Sequence, residues 1–241
     1  MRGAGGLAVL GGTAVLPGAA DAADKRPVFR WERSGGFVAP GTDRLAAPRL
    51  AVYRGGLAVA DATRSAWLPD RVVAEIRHRA VDVLSHPANL ARRPGAPVIV
   101  DAPQTRFTAA GSANGRRYTG VVDALEEYRA HHAYPKPLYD LLDDAAARRQ
   151  RVLDTGKLFR PAAVRLVVVR LDAPPPGGEP QPWPAGVAVP PIDPDGRAGQ
   201  GNVYGDAAGR VVAGMPATWQ IYRTARGQVL EGAWRYLLPD E

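Results

Sequence analysis

From Val28 through Phe29, Arg30, Trp31 and Glu32, apolar and charged side chains take turns along the chain, the period that gives a strand one buried face. The pattern stops at Ser34-Gly35-Gly36, where the backbone is free to take a positive φ, and a single aromatic, Phe37, follows. Residues 28–37 therefore read as a first strand that ends in a glycine bend. Residues 38–48, rich in Pro, Gly and Asp, read as a loop. Two short apolar runs, 49–53 and 57–61, flank Gly55-Gly56 and predict a hairpin. At Pro69 the period changes to that of a helix. Val72, Val73, Ile76, Ala80, Val83 and Leu84 share one face, and Arg71, Glu75, His78, Arg79 and Asp82 the other, with Glu75 and Arg79 in the favourable i,i+4 order. His86-Pro87 ends that helix.

Val98-Ile99-Val100 reads as a short buried strand or an apolar anchor, and residues 105–109 and 117–122 as a second hairpin turning at Asn114-Gly115. Asp123 and Glu126 have the spacing of a capping box for a short helix through Arg129. Leu138, Leu141, Leu142, Ala145, Val152 and Leu153 stripe a second long helix that stops at Gly156, its acids (Asp140, Asp143, Asp144) early and its bases (Arg148, Arg149, Arg151) late, as the helix dipole favours. Residues 163–171 are nearly all apolar, which predicts a central strand covered on both faces. Residues 174–194 hold nine prolines, too many for a sheet or helix interior, and read as an extended surface arm anchored by Trp183 and Val187. A short helix over 206–215 and a closing hairpin, 219–223 with 229–238, complete the chain, and Leu230, Trp234, Tyr236 and Leu238 imply that its end docks into the core. The order predicts an α+β fold: a mostly antiparallel sheet with two main helices packed against it, a Pro-rich arm and a C-terminal hairpin.

Composition changes this picture little. With 241 residues, 46% hydrophobic and 23% charged, the chain can bury a full core. There is no cysteine, which excludes disulfides, thiolate metal sites and a cysteine nucleophile. The net charge of +7 comes from arginines scattered with abundant Ala, Gly and Pro, the signature of a GC-rich coding sequence, and no specific nucleic-acid partner is expected. Arg2, the small apolar run to Leu16 and the Ala20-Asp21-Ala22 signature resemble an export signal over residues 1–22, cleaved after Ala22. That run is too short and Gly-rich to span a membrane, so an extracellular or cell-envelope location without a transmembrane anchor is expected.

Candidate chemistry is sparse. His131-His132, and Glu75 with His78, lack the spacing of a zinc site. Ser34 beside Gly35-Gly36 lacks the preceding glycine and the following helix of a nucleophile elbow. Gly196, Gly199 and Gly201 carry no phosphate-loop lysine, and Asp193-Pro194-Asp195-Gly196 reads as a turn, not a calcium loop. The paired carboxylates Glu126-Glu127 and Asp143-Asp144 belong to helix surfaces or caps. No catalytic residue, metal ligand or cofactor is expected. Trp219, Tyr222, Trp234 and Tyr236 offer a second class of function, a cell-wall or carbohydrate-binding module, if their rings are exposed. A hydrolase with a site assembled from distant residues is a third.

The string Arg33-Ser34-Gly35-Gly36-Phe37 at the end of an opening strand resembles the emfourin-like family. There the same string precedes a strand, a Leu-rich helix, a hairpin and a Pro-Leu-x-x-Leu-Leu helix. Thr105-Arg106-Phe107-Thr108 and Arg116-Arg117-Tyr118-Thr119 look like that hairpin, and Pro137-Leu138 with Leu141-Leu142 like that helix. The resemblance covers residues 28–153; 38–48 and 86–103 look like insertions, and 154–241 have no counterpart. It implies an α+β core over 28–153, with 154–241 docked as an extension. It also implies a non-catalytic protein-binding function, inhibition of a secreted thermolysin-like metallopeptidase, with Arg33, Ser34, Gly35, Gly36 and Phe37 as binding residues.

Overall fold

The computed structural model describes residues 25–111, 116–176, 179–194 and 197–241. The export-signal expectation, the Asn114-Gly115 turn and Asp195-Gly196 lie outside these residues. The described residues form two sheets. The first contains β1 (Pro27–Gly35), β2 (Leu50–Tyr53), β3 (Leu57–Ala60), β4 (Arg64–Trp67), β5 (Pro103–Ala110), β6 (Arg117–Asp123) and β7 (Lys157–Leu158), in the order β6-β5-β1-β2-β3-β4-β7 with every neighbour antiparallel. The second contains β8 (Ala163–Leu171), β9 (Gln181–Pro182), β10 (Ala198–Tyr204), β11 (Gln220–Arg223) and β12 (Val229–Tyr236), in the order β10-β8-β12-β11-β9. Its one parallel pair is β9 with β11. Among the described residues four α-helices accompany them: α1 (Thr42–Leu45), α2 (Asp70–Leu84), α3 (Lys136–Thr155) and α4 (Gly205–Gly214). The fold is α+β, with antiparallel pairing dominant.

The alternation in β1 places Phe29 and Trp31 on one face, each stacked on Phe107 of β5 at 6.3 Å. The apolar stripes of α2 (Val73, Ile76, Ala80, Val83, Leu84) and α3 (Leu138, Leu141, Leu142, Ala145, Val152) cover that face and make the largest core cluster. In β2 the two faces go to different clusters. Leu50 and Val52 join the helices, whereas Ala51 and Tyr53 pack with Val59, Ala62 and Leu238 from the chain's end. The second sheet buries Val164 and Leu166 of β8 against Ala208 and Val211 of α4, with Met215, Tyr222 and Trp234.

The end of the chain is tied down by charge as well as by Leu237 and Leu238. Asp240 accepts from Arg30 at 2.8 Å and from the Tyr53 hydroxyl at 2.6 Å. Glu241 takes two hydrogen bonds from Arg235, at 2.7 and 2.8 Å, with Arg165 at 3.6 Å and Arg30 at 3.8 Å. Arg30 belongs to the first sheet and Arg165 and Arg235 to the second, so these two carboxylates join the sheets.

Several expectations are corrected. Val98-Ile99-Val100 forms no strand and anchors nothing: Val98 and Val100 are 76% and 79% exposed. Pro94, Gly95, Pro97 and Pro103 bracket the run and deny it a ladder partner. Asp123 and Glu126 cap no helix; the chain turns through Ala124 at φ 50° into a single 3₁₀ turn, and Glu126 and Glu127 face Arg33 instead. Glu75 pairs with Arg71 at 3.1 Å and lies near Arg148 at 4.0 Å, while Arg79 turns to Asp144 at 3.8 Å, because α3 packs beside that face of α2. The Pro-rich arm does enter a sheet: β9 is an edge strand, where Pro182 removes no needed donor. Trp183 and Val187 anchor the arm, with the indole N–H donating to the Val187 carbonyl at 2.8 Å. The loop at 38–48 contains α1, and β4 and β10 are strands that the pattern did not announce.

Candidate functional site

The glycine bend forms the centre of a surface depression of about 520 Å³. Antiparallel pairing carries β1 to its end with Arg33 opposite Thr105, Ser34 opposite Gln104 and Gly35 opposite Pro103. Gly35 and Gly36 then take φ of 72° and 87°, conformations that side chains with a Cβ resist, and the chain turns off the sheet. At Gly36 an added Cβ would lie 3.4 Å from the Asp101 carbonyl oxygen and 3.5 Å from the Pro103 nitrogen, so two distant loops meet there at backbone contact. The Gly35 N–H donates to the Asp43 carboxylate of α1 at 3.1 Å. Arg33 is held by Glu127 and, at 3.6 Å, by Glu126.

Turning the chain at this point leaves Phe37 97% exposed, with Val38 also exposed beside it. Across the Gly36–Asp101 contact lie Val98, Ile99 and Val100. That segment is fixed by the Tyr128 hydroxyl, which accepts from the Ile99 N–H at 2.9 Å and from Arg92 at 3.0 Å. The two loops meet at Gly36 and Asp101, and each carries exposed apolar side chains there, an apolar lip of the kind that marks contact surfaces. Within the depression, the half-buried Arg49 and the exposed Asp101 have no side-chain partner among the described residues.

The far wall is braced by the second sheet. Gly41, at φ 82°, precedes α1 and presses on β8: a Cβ there would be 2.8 Å from Val169 Cγ2 and 3.2 Å from the Trp219 ring. Arg44 of α1 pairs with Asp193 of the Pro-rich arm. A Gly41→Ala substitution therefore meets both a left-handed backbone penalty and a clash, and is expected to destabilise the fold by about 2 kcal/mol in a denaturant titration. An unchanged midpoint would show that α1 is not braced in this way.

All five sequence-predicted residues, Arg33 to Phe37, line this one depression. Ser34 is exposed, and its hydroxyl has no hydrogen-bond partner among the described residues. The sequence reading missed the other half of the lip. The available signal was the shortness of the 98–100 run between prolines, which fits a loop better than a buried strand. Other candidate clusters are structural. Glu75, His78 and Asp144 line one depression, but they share it with Arg79 and Arg148, which take up Asp144 at 3.8 and 3.0 Å. Among the described residues no group of three or more His, Asp or Glu is placed to hold a metal ion, and no helix is long and apolar enough to cross a membrane. Of the C-terminal aromatics, Trp234 is 8% exposed, its indole N–H bonded to the Met215 carbonyl, and Tyr222 is buried. Trp219 and Tyr236 are half-buried, so these rings make no open stacking platform. Comparison with protein-family models, curated proteins and solved structures gives no match for this chain.

Proposed function

We propose that the protein is exported and non-catalytic, and that it acts by binding another protein across the Phe37 lip. Its partner is an extracellular thermolysin-like metallopeptidase, which it inhibits. The observation that carries this reading is the 97% exposure of Phe37 on a bend fixed from both sides. An aromatic ring kept in water contributes nothing to folding, whereas a rigid aromatic that fills a partner's pocket is the usual energetic centre of an interface. Val98 and Val100 extend the apolar contact, and Arg49 and Asp101, unpaired among the described residues, supply charges of both signs at its margin. The choice of partner rests on the resemblance carried by residues 33–37.

The test is a titration of thermolysin with the chain lacking residues 1–22, read as peptidase activity on a small peptide substrate. Inhibition should saturate, and Phe37→Ala should weaken it by about 30-fold, corresponding to a hot-spot loss of about 2 kcal/mol, with thermal unfolding unchanged. Full peptidase activity at large excess of the chain would overturn the inhibitor reading.

A further inference from the structure

A second concavity, sharing no residue with the Phe37 site, opens where the two sheets meet. Its volume is about 660 Å³, within the range of small-molecule sites, and layer junctions are common places for them. The walls are aromatic and aliphatic. Phe159 and Tyr236 meet edge to face at 6.3 Å, and Trp234 meets Tyr236 edge to face at 5.1 Å. Leu158, 52% exposed, ends β7, the strand paired with β4, and Val212 projects from α4. The backbone fixes this wall: the Phe159 N–H donates to the Thr63 carbonyl at 2.9 Å, and the Trp234 indole is held by Met215. Rings locked in this way present edges and faces to a void that no described side chain fills.

The charges around the void are unequal in their availability. Asp61 is already engaged by both arms of Arg149, one at 3.0 Å. Arg235 is engaged by Glu241. Arg160, at the mouth, has no ion pair or hydrogen bond among the described residues. Among the described residues, the one uncompensated charge on the lining is therefore positive, and it stands beside an aromatic slot.

We propose that this cleft binds a small monoanion with an aromatic body, such as an aryl carboxylate. The ring system lies between Phe159, Tyr236 and Val212, and the carboxylate meets the Arg160 guanidinium. A neutral arene would gain the ring contacts alone. A dianion would find a single free partner, because Arg235 is taken. The guanidinium fork suits a planar carboxylate through paired hydrogen bonds.

Isothermal titration calorimetry with 2-naphthoate and its neutral counterpart 2-naphthalenemethanol tests the assignment. Naphthoate should bind saturably at one site, about tenfold more tightly than the alcohol. Arg160→Gln should bring naphthoate down to the affinity of the alcohol and leave the alcohol unchanged. Val212→Trp, made at an exposed helix position, should fill the slot and abolish both with the unfolding midpoint retained. No saturable binding to the wild type, equal affinity for acid and alcohol, or naphthoate binding that survives Val212→Trp would each overturn the proposal. Phe37→Ala should not move either affinity, which keeps this outcome separate from that of the interface.

Discussion

Replacing Glu241 by Ala should lower stability by about 3 kcal/mol, one of the two largest effects expected for a single substitution in this chain. The side chain is 11% exposed and stands among Arg235, Arg165 and Arg30, with the Leu238 N–H also donating to it at 3.0 Å. Removing it leaves Arg235, itself 9% exposed, without a carboxylate at the joint between the sheets and, among the described residues, with only the Tyr236 carbonyl to accept from its guanidinium. The penalty for an uncompensated buried charge exceeds the worth of the pair, and this asymmetry sets the size of the effect. Asp240 stays on Arg30, which keeps the loss toward the lower end of the range for broken buried pairs. Chemical denaturation at neutral pH measures it, and a loss below about 1 kcal/mol would place the cluster with ordinary surface ion pairs.

The same joint predicts how stability depends on pH at both ends. Burial alone would raise the Glu241 carboxyl, but the Arg235 hydrogen bonds and charge, the Leu238 N–H and Arg165 together bring it below its usual value. A carboxylate whose folded pKa is depressed contributes fully above its unfolded value, near 4.3, and loses that contribution as pH falls through the folded value. The wild type should therefore lose stability steeply below about pH 4, and Glu241→Gln should flatten that limb. Tyr53 acts in the opposite direction. Burial, its hydrogen bond to Asp240 and the charge of that carboxylate push the phenol far above its usual range. Its contribution is complete below the unfolded phenol value, near 10, and declines as pH rises beyond it. Tyr53→Phe should remove that alkaline decline while losing the Asp240 hydrogen bond.

Elements that face one core were legible in the sequence because a single periodicity governs them. The stripes of α2 and α3 name most of their buried residues, adding the half-buried Val72 and Leu153 and missing Tyr139, and the apolar run of β8 correctly implied cover on both sides. Elements whose status is imposed by a neighbour were not. In β4, Arg64-Ser65-Ala66-Trp67 has no alternation to read; it is a strand because Leu57 to Ala60 pair with it. The bend at Gly35-Gly36 was legible because glycine reports a backbone need directly. Its partner loop was not, since nothing local in Val98 to Val100 says that Asp101 meets Gly36. The aromatic cleft was invisible for the same reason: Phe159, Val212 and Tyr236 come together only when the second sheet docks.

Gly199 carries the other large effect, and it turns on that kind of imposed contact. The sequence assigns Gly199 to no element, but it lies inside β10, opposite Val168 of β8, with the Pro-rich arm crossing directly over it. A Cβ there would sit 2.3 Å from the Pro191 carbonyl oxygen and 3.1 Å from the Ile192 Cα, both backbone atoms that no rotamer change can move. Gly199→Ala must lift the arm, breaking the bridge to Ile192 and the Asp193 N–H bond to the Ala198 carbonyl, for a loss of about 3 kcal/mol. Gly201, two residues along the same strand, is the internal control. Its Cβ would meet only Pro190 side-chain atoms at 3.6 Å and beyond, an ordinary contact, so Gly201→Ala should stay within about 1 kcal/mol of wild type. Equal behaviour of the two variants in denaturation and in limited proteolysis of the arm would refute the close approach. The consequence reaches the Phe37 site as well. The lifted arm takes Asp193 away from Arg44 of α1, and α1 carries the Asp43 carboxylate that receives the Gly35 N–H. Gly199→Ala should therefore also weaken partner binding at the lip, although it lies outside the depression, whereas Gly201→Ala should leave binding intact.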